Sequence, residues 1–174
     1  GGFGGTTPDA SVIAQLQREN VTDWLMCNYD SHGGNFLLDQ TTGRLIGVDK
    51  EQAFRYIGNA QAQKMSFTFH PNAGYGETEP VYNTMYRLFA QGDIDLNLND
   101  TLAYIKRIEA VPDAEYREIF RSYAEALYGK GNKAEHLLDQ IVSRKQNARA
   151  TFETFYSELL TQRNGSATTF QFID

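Results

Sequence analysis

Hydrophobic residues recur at helical spacing through much of this chain and predict five helices. The first has a possible N-cap at Thr7 or Asp9, with Pro8 near its first turn, and extends to about Cys27. The other four follow Pro80 and cover about 80–92, 100–111, 113–129 and 132–163. At about 1.5 Å per residue, the last helix would be roughly 45 Å long.

Two short apolar runs between the first and second helices predict a β-hairpin. Residues 36–38 and 45–48 are separated by a polar turn that ends in Gly43. The stretch 58–80 combines Pro, Gly and Asn with scattered aromatic residues and predicts a long loop. We therefore expect an α+β fold, mostly α, with a small hairpin followed by a helical bundle. Residues 1–7 would be a flexible lead-in or a cloning remnant, and residues 8–174 a single domain.

The amino-acid composition and net charge indicate which kinds of binding partner to expect. The chain has 174 residues, of which 41 % are hydrophobic, and a formal net charge of −6. An acidic chain without a Lys/Arg block is not typical of proteins that bind nucleic acid through its phosphates. Its apolar runs are shorter than the roughly 20 residues that cross a membrane as a helix. We expect neither a nucleic-acid partner nor a transmembrane segment.

Cys27 is the single cysteine, so the chain has no disulfide framework and no cysteine-based zinc site. This favours a reducing, cytoplasmic compartment, although many exported proteins also lack disulfides. The Gly-rich start has neither the charged nor the apolar region of a signal peptide, and it lacks an initiator Met. The chain is therefore predicted to be processed, tagged or cut from a longer protein.

Candidate chemistry is concentrated around the predicted hairpin. Asp30, His32 and Asn35 lie in a polar loop after the first helix, and Asp49 follows the second strand. A hairpin brings the residues before its first strand close to those after its second, so Asp30, Asn35 and Asp49 should cluster. Oxygen ligands suit Mg²⁺, and a further carboxylate can accept a proton, as phosphoryl transfer requires. The alternative is an ordinary hairpin whose Asp and Asn side chains form Asx-turns.

The spacing Asp-x₄-Asn, a hairpin and then Asp resembles the catalytic and metal-binding loops of the protein-kinase-like fold. The sequence D-S-H-G-G-N-F is similar to the D-R-H-x-x-N loop of atypical relatives, namely phosphatidylinositol 3-/4-kinases and related bacterial kinases. The resemblance covers about residues 10–57 and implies the C-terminal lobe of such a kinase. It implies Asp30 as the catalytic Asp, His32 as a residue that assists catalysis or shapes the loop, and Asn35 and Asp49 as Mg²⁺ or Mn²⁺ ligands that hold ATP.

The chain departs from this family pattern at two places. Ser31 replaces the usual Arg, and Lys50 and Glu51 follow Asp49 where most relatives have a Gly-containing turn. Lys50 could contact a phosphate of ATP or pair with Glu51 in solvent. A kinase also needs an N-terminal lobe with a phosphate-binding Lys, and only about 30 residues precede the loop. That lobe would belong to a longer parent chain.

The expected function is transfer of the ATP γ-phosphoryl group to a hydroxyl acceptor, which could be a lipid, a protein or a small molecule. One alternative is a pseudokinase or regulatory nucleotide-binding module. Another is a non-catalytic helical interaction domain.

Two further groups of side chains, the histidines and a set of basic residues, do not predict a functional site. His32, His70 and His136 are too scattered to predict a zinc site. A set of basic residues near the last helix predicts a solvated face, with docking of an acidic partner or lipid headgroup as the alternative. These basic residues are Lys130, Lys133, Arg144, Lys145 and Arg149.

Overall fold

A computed structural model describes residues 9–26 and 81–174, the backbone of two short strands at 36–38 and 45–47, and the residues Phe54 and Ile57. A 3₁₀ turn, Leu98–Thr101, leads into the third of seven described α-helices. The helices are α1 (Ala10–Leu25), α2 (Val81–Gln91), α3 (Leu102–Glu109), α4 (Asp113–Ile119), α5 (Arg121–Tyr128), α6 (Asn132–Gln146) and α7 (Ala148–Asn164). The strands are β1 (Phe36–Leu38) and β2 (Leu45–Gly47).

The fold is all-α, and the predicted α+β class, in which a β-hairpin forms part of the architecture, is wrong. About three quarters of the described chain is helical. β1 and β2 have three residues each and, among the described residues, pair antiparallel with one another and with no further strand. So small a ladder offers no sheet face against which helices could pack, whereas the apolar stripes of the helices bury one another. The sequence prediction treated two short apolar runs as a β layer of the fold.

Asp9, one of the two predicted caps, is the N-cap of α1. The Asp9 carboxylate accepts a 2.9 Å hydrogen bond from the Val12 amide and a 2.7 Å bond from the Ser11 hydroxyl. The Ser11 bond is the main reason that the pKa of Asp9 is lowered. The helix continues to Leu25 and buries Trp24 and Leu25 near its end.

Two predicted helices are divided in the structure. The continuous helix expected over 132–163 breaks at Asn147, whose φ and ψ are −94° and 0°. The helix expected over 113–129 breaks at Phe120, with φ −99° and ψ 0°. The Asn147 side-chain amide donates to the Ser143 carbonyl at 2.7 Å, and this contact competes with helix continuation. Neither break was visible in the sequence because apolar residues continue at helical spacing across both.

The core is centred on α7. Phe152, Phe155, Tyr156 and Leu159 are buried on it, and α2, α3 and α6 all pack against this helix. α1 packs against α2 and α6, and the Trp24 ring meets Phe152 edge-on with ring centroids 6.2 Å apart. α4 and α5 pack against α6. Among the described residues, no helix combines the length and the apolar character needed to cross a membrane.

Candidate functional site

The five residues of the predicted site lie outside the described part of the chain. They are Asp30, His32, Asn35, Asp49 and Lys50. The structure describes the residues that border the segment carrying them, together with the backbone of the two strands inside it. These borders define where the candidate site attaches to the helical bundle.

The segment 27–53, which carries all five candidates, begins and ends at one hydrogen bond. The Phe54 amide donates to the Met26 carbonyl at 2.7 Å. Met26 directly follows α1 and is 1 % exposed, and Phe54 is 4 % exposed. The two residues that border the segment therefore meet inside the protein, at the C-terminal end of α1.

The strand register adds a second constraint within this segment. Phe36 pairs with Gly47, and Leu38 pairs with Leu45. Antiparallel pairing brings the beginning of β1 beside the end of β2. In the sequence, Asn35 directly precedes β1, and Asp49 comes two residues after the end of β2.

Phe54 is anchored in the bundle although its backbone conformation is unfavourable. Its φ is +61°, in the left-handed region that a bulky side chain rarely adopts. The Phe54 ring meets the rings of Phe120 and Tyr123, with centroid separations of 5.3 and 5.9 Å. The Phe54 carbonyl accepts a 3.1 Å bond from the buried Ile57 amide. Packing against the α4–α5 junction thus compensates for the strained closing residue.

Two members of the predicted basic face are buried, so that prediction is wrong for them. Arg144 is 2 % exposed, and its Nε donates to the Trp24 carbonyl. Lys145 is 6 % exposed, and its Nζ lies 2.6 Å from Asp113 Oδ1. The hydrogen bond from Lys145 is the main cause of the lowered pKa of Asp113. A Lys/Arg pair in the last turn of a helix is usually solvated, which is why the sequence indicated a surface.

A chain of buried hydroxyl groups joins α1, α2, α7 and the 3₁₀ turn. The Tyr156 hydroxyl lies 2.8 Å from the Tyr86 hydroxyl and 2.6 Å from Thr101 Oγ1. Tyr86 donates to Asn20 Oδ1 at 3.1 Å, and Gln17 Nε2 donates to Thr101 Oγ1 at 3.1 Å. Burial raises the pKa of Tyr156 to about 12 and also raises that of Tyr86. Both phenols remain protonated at neutral pH, so the chain of hydroxyls cross-links the helices and supplies no base.

The spacing of polar residues along α1 indicates this network, although the pattern of apolar residues alone did not predict it. Gln17, Asn20 and Asp23 recur every three residues along α1, on the side of the helix that also buries Leu16 and Trp24. All three are buried, and Asp23 Oδ2 accepts a 3.1 Å bond from the Tyr82 hydroxyl. Polar residues in phase with an apolar stripe can indicate buried hydrogen bonds.

In the part of the chain that the structure describes, no group of three or more His, Cys, Asp or Glu side chains could hold a metal ion. Comparisons with protein-family models, with curated proteins and with solved structures find no match to this chain.

Proposed function

We propose that this chain carries the catalytic and metal-binding loops of an atypical kinase, which transfers the γ-phosphoryl group of ATP to a hydroxyl acceptor. The observation that carries the proposal is the sequence arrangement of Asp30, Asn35 and Asp49 around β1 and β2. An Asp and an Asn that could hold a divalent cation, with a further Asp in reach of the acceptor, are the groups that phosphoryl transfer needs.

The described backbone around this segment supports the proposal. The pairing of Phe36 with Gly47 joins the chain just after Asn35 to the chain just before Asp49. The hydrogen bond from Phe54 to Met26 closes the segment on the helical bundle. Metal ligands must be held in fixed relative positions, and a segment tied at its ends and across its middle is suited to that purpose.

In the proposed reaction, Asp30 accepts the proton of the acceptor hydroxyl while that oxygen forms a bond to the γ-phosphorus of ATP. The bond from this phosphorus to the bridging oxygen breaks, and ADP leaves with the electron pair. Asn35 and Asp49 would hold Mg²⁺ or Mn²⁺, which would neutralise charge on the phosphates. His32 shapes the loop, and Lys50 contacts a phosphate oxygen.

Calorimetric titration with Mg·ATP tests this proposal. We expect the wild-type chain to bind the nucleotide and the variant Asp49→Asn to bind it at least about tenfold more weakly, since the amide lacks the charge that attracts the metal. Asp93→Asn makes the same chemical change at an exposed residue beyond α2 and should bind as the wild type does.

Each outcome of the titration has a distinct meaning. Equal affinities for the wild type and Asp49→Asn would contradict the role of Asp49, and no binding by the wild type would show that this chain does not hold Mg·ATP without the N-terminal lobe. Binding without transfer of phosphate to any hydroxyl acceptor would identify the pseudokinase alternative. For an active protein, Asp30→Ala should abolish transfer while leaving Mg·ATP affinity within about threefold, because Asp30 acts on the acceptor.

A further inference from the structure

Arg144 contacts both the backbone and the side chain of Trp24, in the last turn of α1. Its Nε donates to the Trp24 carbonyl, and its guanidinium carbon lies 4.1 Å from the centroid of the Trp24 ring. The C-terminal carbonyls of a helix lack intrahelical donors and carry partial negative charge. A buried cation at this point therefore caps α1 and stacks on the indole at the same time.

The location of this contact relates it to the candidate site. The Met26 carbonyl comes two positions after the Trp24 carbonyl in the sequence, and it accepts the bond that closes the segment 27–53. The chain leaving α1 is thus held by α6 through Arg144 and by the returning chain through Phe54. A displacement of the end of α1 would move Met26 away from Phe54, which its own ring contacts hold on the bundle.

Stability alone is a poor reason for an arginine at this position. Arg144 is among the largest fully buried side chains, and a buried charge must be compensated for the loss of its hydration. Apolar residues of similar volume often replace buried charges at little cost or with a gain in stability. What an apolar side chain cannot supply is a directional hydrogen bond to the Trp24 carbonyl.

We infer that Arg144 is a positioning residue that fixes the end of α1 and, through it, the hydrogen bond between Phe54 and Met26, the two residues that border the segment carrying the candidate site. This inference rests on the proposed function only where it concerns nucleotide binding. Arg144 would act through Trp24 and Met26, without itself contacting ATP or the metal.

The structure offers a matched control at the end of another helix. Arg163 donates to the carbonyls of Phe89 and Ile94 at 2.6 and 2.7 Å, and its guanidinium carbon lies 4.5 Å from the centroid of the Phe89 ring. It therefore combines the same two interactions, a carbonyl cap and a stack on an aromatic ring. Its contacts involve the end of α2, and they do not include Met26 or Phe54.

The experiment compares Arg144→Met with Arg163→Met at a temperature at which circular dichroism shows both to be folded. Hydrogen exchange of the Phe54 amide reports the closing bond, and calorimetry with Mg·ATP reports the site. We expect Arg144→Met to accelerate Phe54 exchange at least about tenfold and to weaken Mg·ATP binding by a similar factor. Arg163→Met should leave both within about twofold of the wild type.

A conservative variant separates positioning from the general loss of a charge. Arg144→Lys keeps a cation and a donor but lacks the planar guanidinium that can cap and stack together. Its Phe54 exchange and Mg·ATP affinity should lie between those of Arg144→Met and the wild type. It also provides the comparison if Arg144→Met does not fold. The fluorescence of Trp24, the single tryptophan, verifies that the contact has changed.

The outcomes separate this inference from the proposed function. If Arg144→Met resembles Arg163→Met in both Phe54 exchange and Mg·ATP affinity, Arg144 is not a positioning residue. If the wild type does not bind Mg·ATP, this chain does not hold the nucleotide by itself, and Phe54 exchange alone then decides whether Arg144 positions the end of α1. Accelerated exchange with unchanged Mg·ATP affinity would overturn the link to the site.

Discussion

The hydroxyl oxygens of Tyr86 and Tyr156 lie 2.8 Å apart in the buried interface between α2 and α7. Tyr156 also lies 2.6 Å from Thr101 Oγ1, so its hydroxyl connects two neighbours that are themselves buried. Removing one member of such a network leaves its partners without a hydrogen bond in a place that excludes water. The network should therefore contribute to stability through Tyr156 in particular.

Replacing Tyr156 by Phe should lower the free energy of unfolding by about 1–3 kcal/mol, the cost of leaving buried polar groups unsatisfied. Urea denaturation followed by circular dichroism measures this change. Tyr128→Phe is the control, because Tyr128 is 53 % exposed and loses a hydroxyl that water can reach. Similar losses in the two variants would show that the hydrogen bonds of Tyr156 add nothing beyond the packing of its ring.

The same residue should make stability depend on alkaline pH. The pKa of Tyr156 is raised by burial from its ordinary value of 10.0 to about 12. A raised folded-state pKa means that the protonated phenol contributes stability below pH 10 and that this contribution is lost as the pH rises towards 12. Urea midpoints measured between pH 9 and pH 12 should therefore fall less steeply for Tyr156→Phe than for the wild type. Parallel slopes would contradict this assignment.

Much of the helical content could be predicted because apolar stripes determine which faces are buried. The starts of α1, α2, α4 and α6 lie close to those expected, and Asp9 was one of the two proposed caps. The breaks at Phe120 and Asn147 could not be predicted, since the core extends across both junctions and the stripe does not lapse. At Asn147 the backbone amide and the side-chain amide both donate to the Ser143 carbonyl, at 3.0 and 2.7 Å.

Buried polar groups were harder to predict than helices. Arg144 follows Leu137 and Ile141 at helical spacing and lies in phase with their stripe, but its charge suggested a surface position. Its contacts with Trp24 at the end of α1 accompany this burial. The candidate site itself stays a sequence prediction, because Asp30, Asn35 and Asp49 lie outside the described residues.

The ion pair between Asp113 and Lys145 should make stability depend on acidic pH. Its hydrogen bond lowers the pKa of Asp113 below the ordinary 3.8, so the carboxylate contributes stability above that value and loses it as the pH falls through the folded-state pKa. Asp113→Asn should cost roughly 1 kcal/mol at pH 7, a modest figure because solvent screens a carboxylate that is 46 % exposed.

The pH dependence distinguishes this ion pair from other roles of Asp113. The difference in urea midpoint between the wild type and Asp113→Asn should shrink as both are measured at lower pH, towards about pH 2.5. Glu115→Gln, an exposed change in the same helix, should show little difference at either pH. A difference between wild type and Asp113→Asn that persists unchanged at low pH would show that the carboxylate charge is irrelevant.

The C-terminal residues should be held on α7 by a matched spacing of donors and acceptors. The amides of Thr168, Phe170 and Phe172 donate to side-chain oxygens of α7 at 2.9, 2.8 and 2.9 Å. The acceptors lie on successive turns, at Thr161, Ser157 and Glu153. Four helical residues advance about 6 Å, and two residues of an extended chain advance about 6.6 Å, so the two sets stay in register.

This register directs alternate side chains to the core. The rings of Phe170 and Phe172 meet the Tyr156 ring edge-on, with centroid separations of 5.4 and 5.9 Å, whereas Gln171 between them is exposed. Phe172→Ala should therefore lower the free energy of unfolding by about 1–2 kcal/mol, less than a fully buried Phe because the ring is only partly covered. Gln171→Ala should change it by less than about 0.5 kcal/mol.

Hydrogen exchange distinguishes local detachment of these residues from loss of global stability. In Phe172→Ala the Phe170 amide should exchange at least about tenfold faster, because its bond to Ser157 depends on the neighbouring ring for alignment. The exchange rates of amides in the middle of α7 should change only as far as the free energy of global unfolding changes. If the exchange rate of the Phe170 amide changes in parallel with those of the α7 amides in every variant, the C-terminal residues unfold together with the bundle. The donor–acceptor register would then not stabilise them separately.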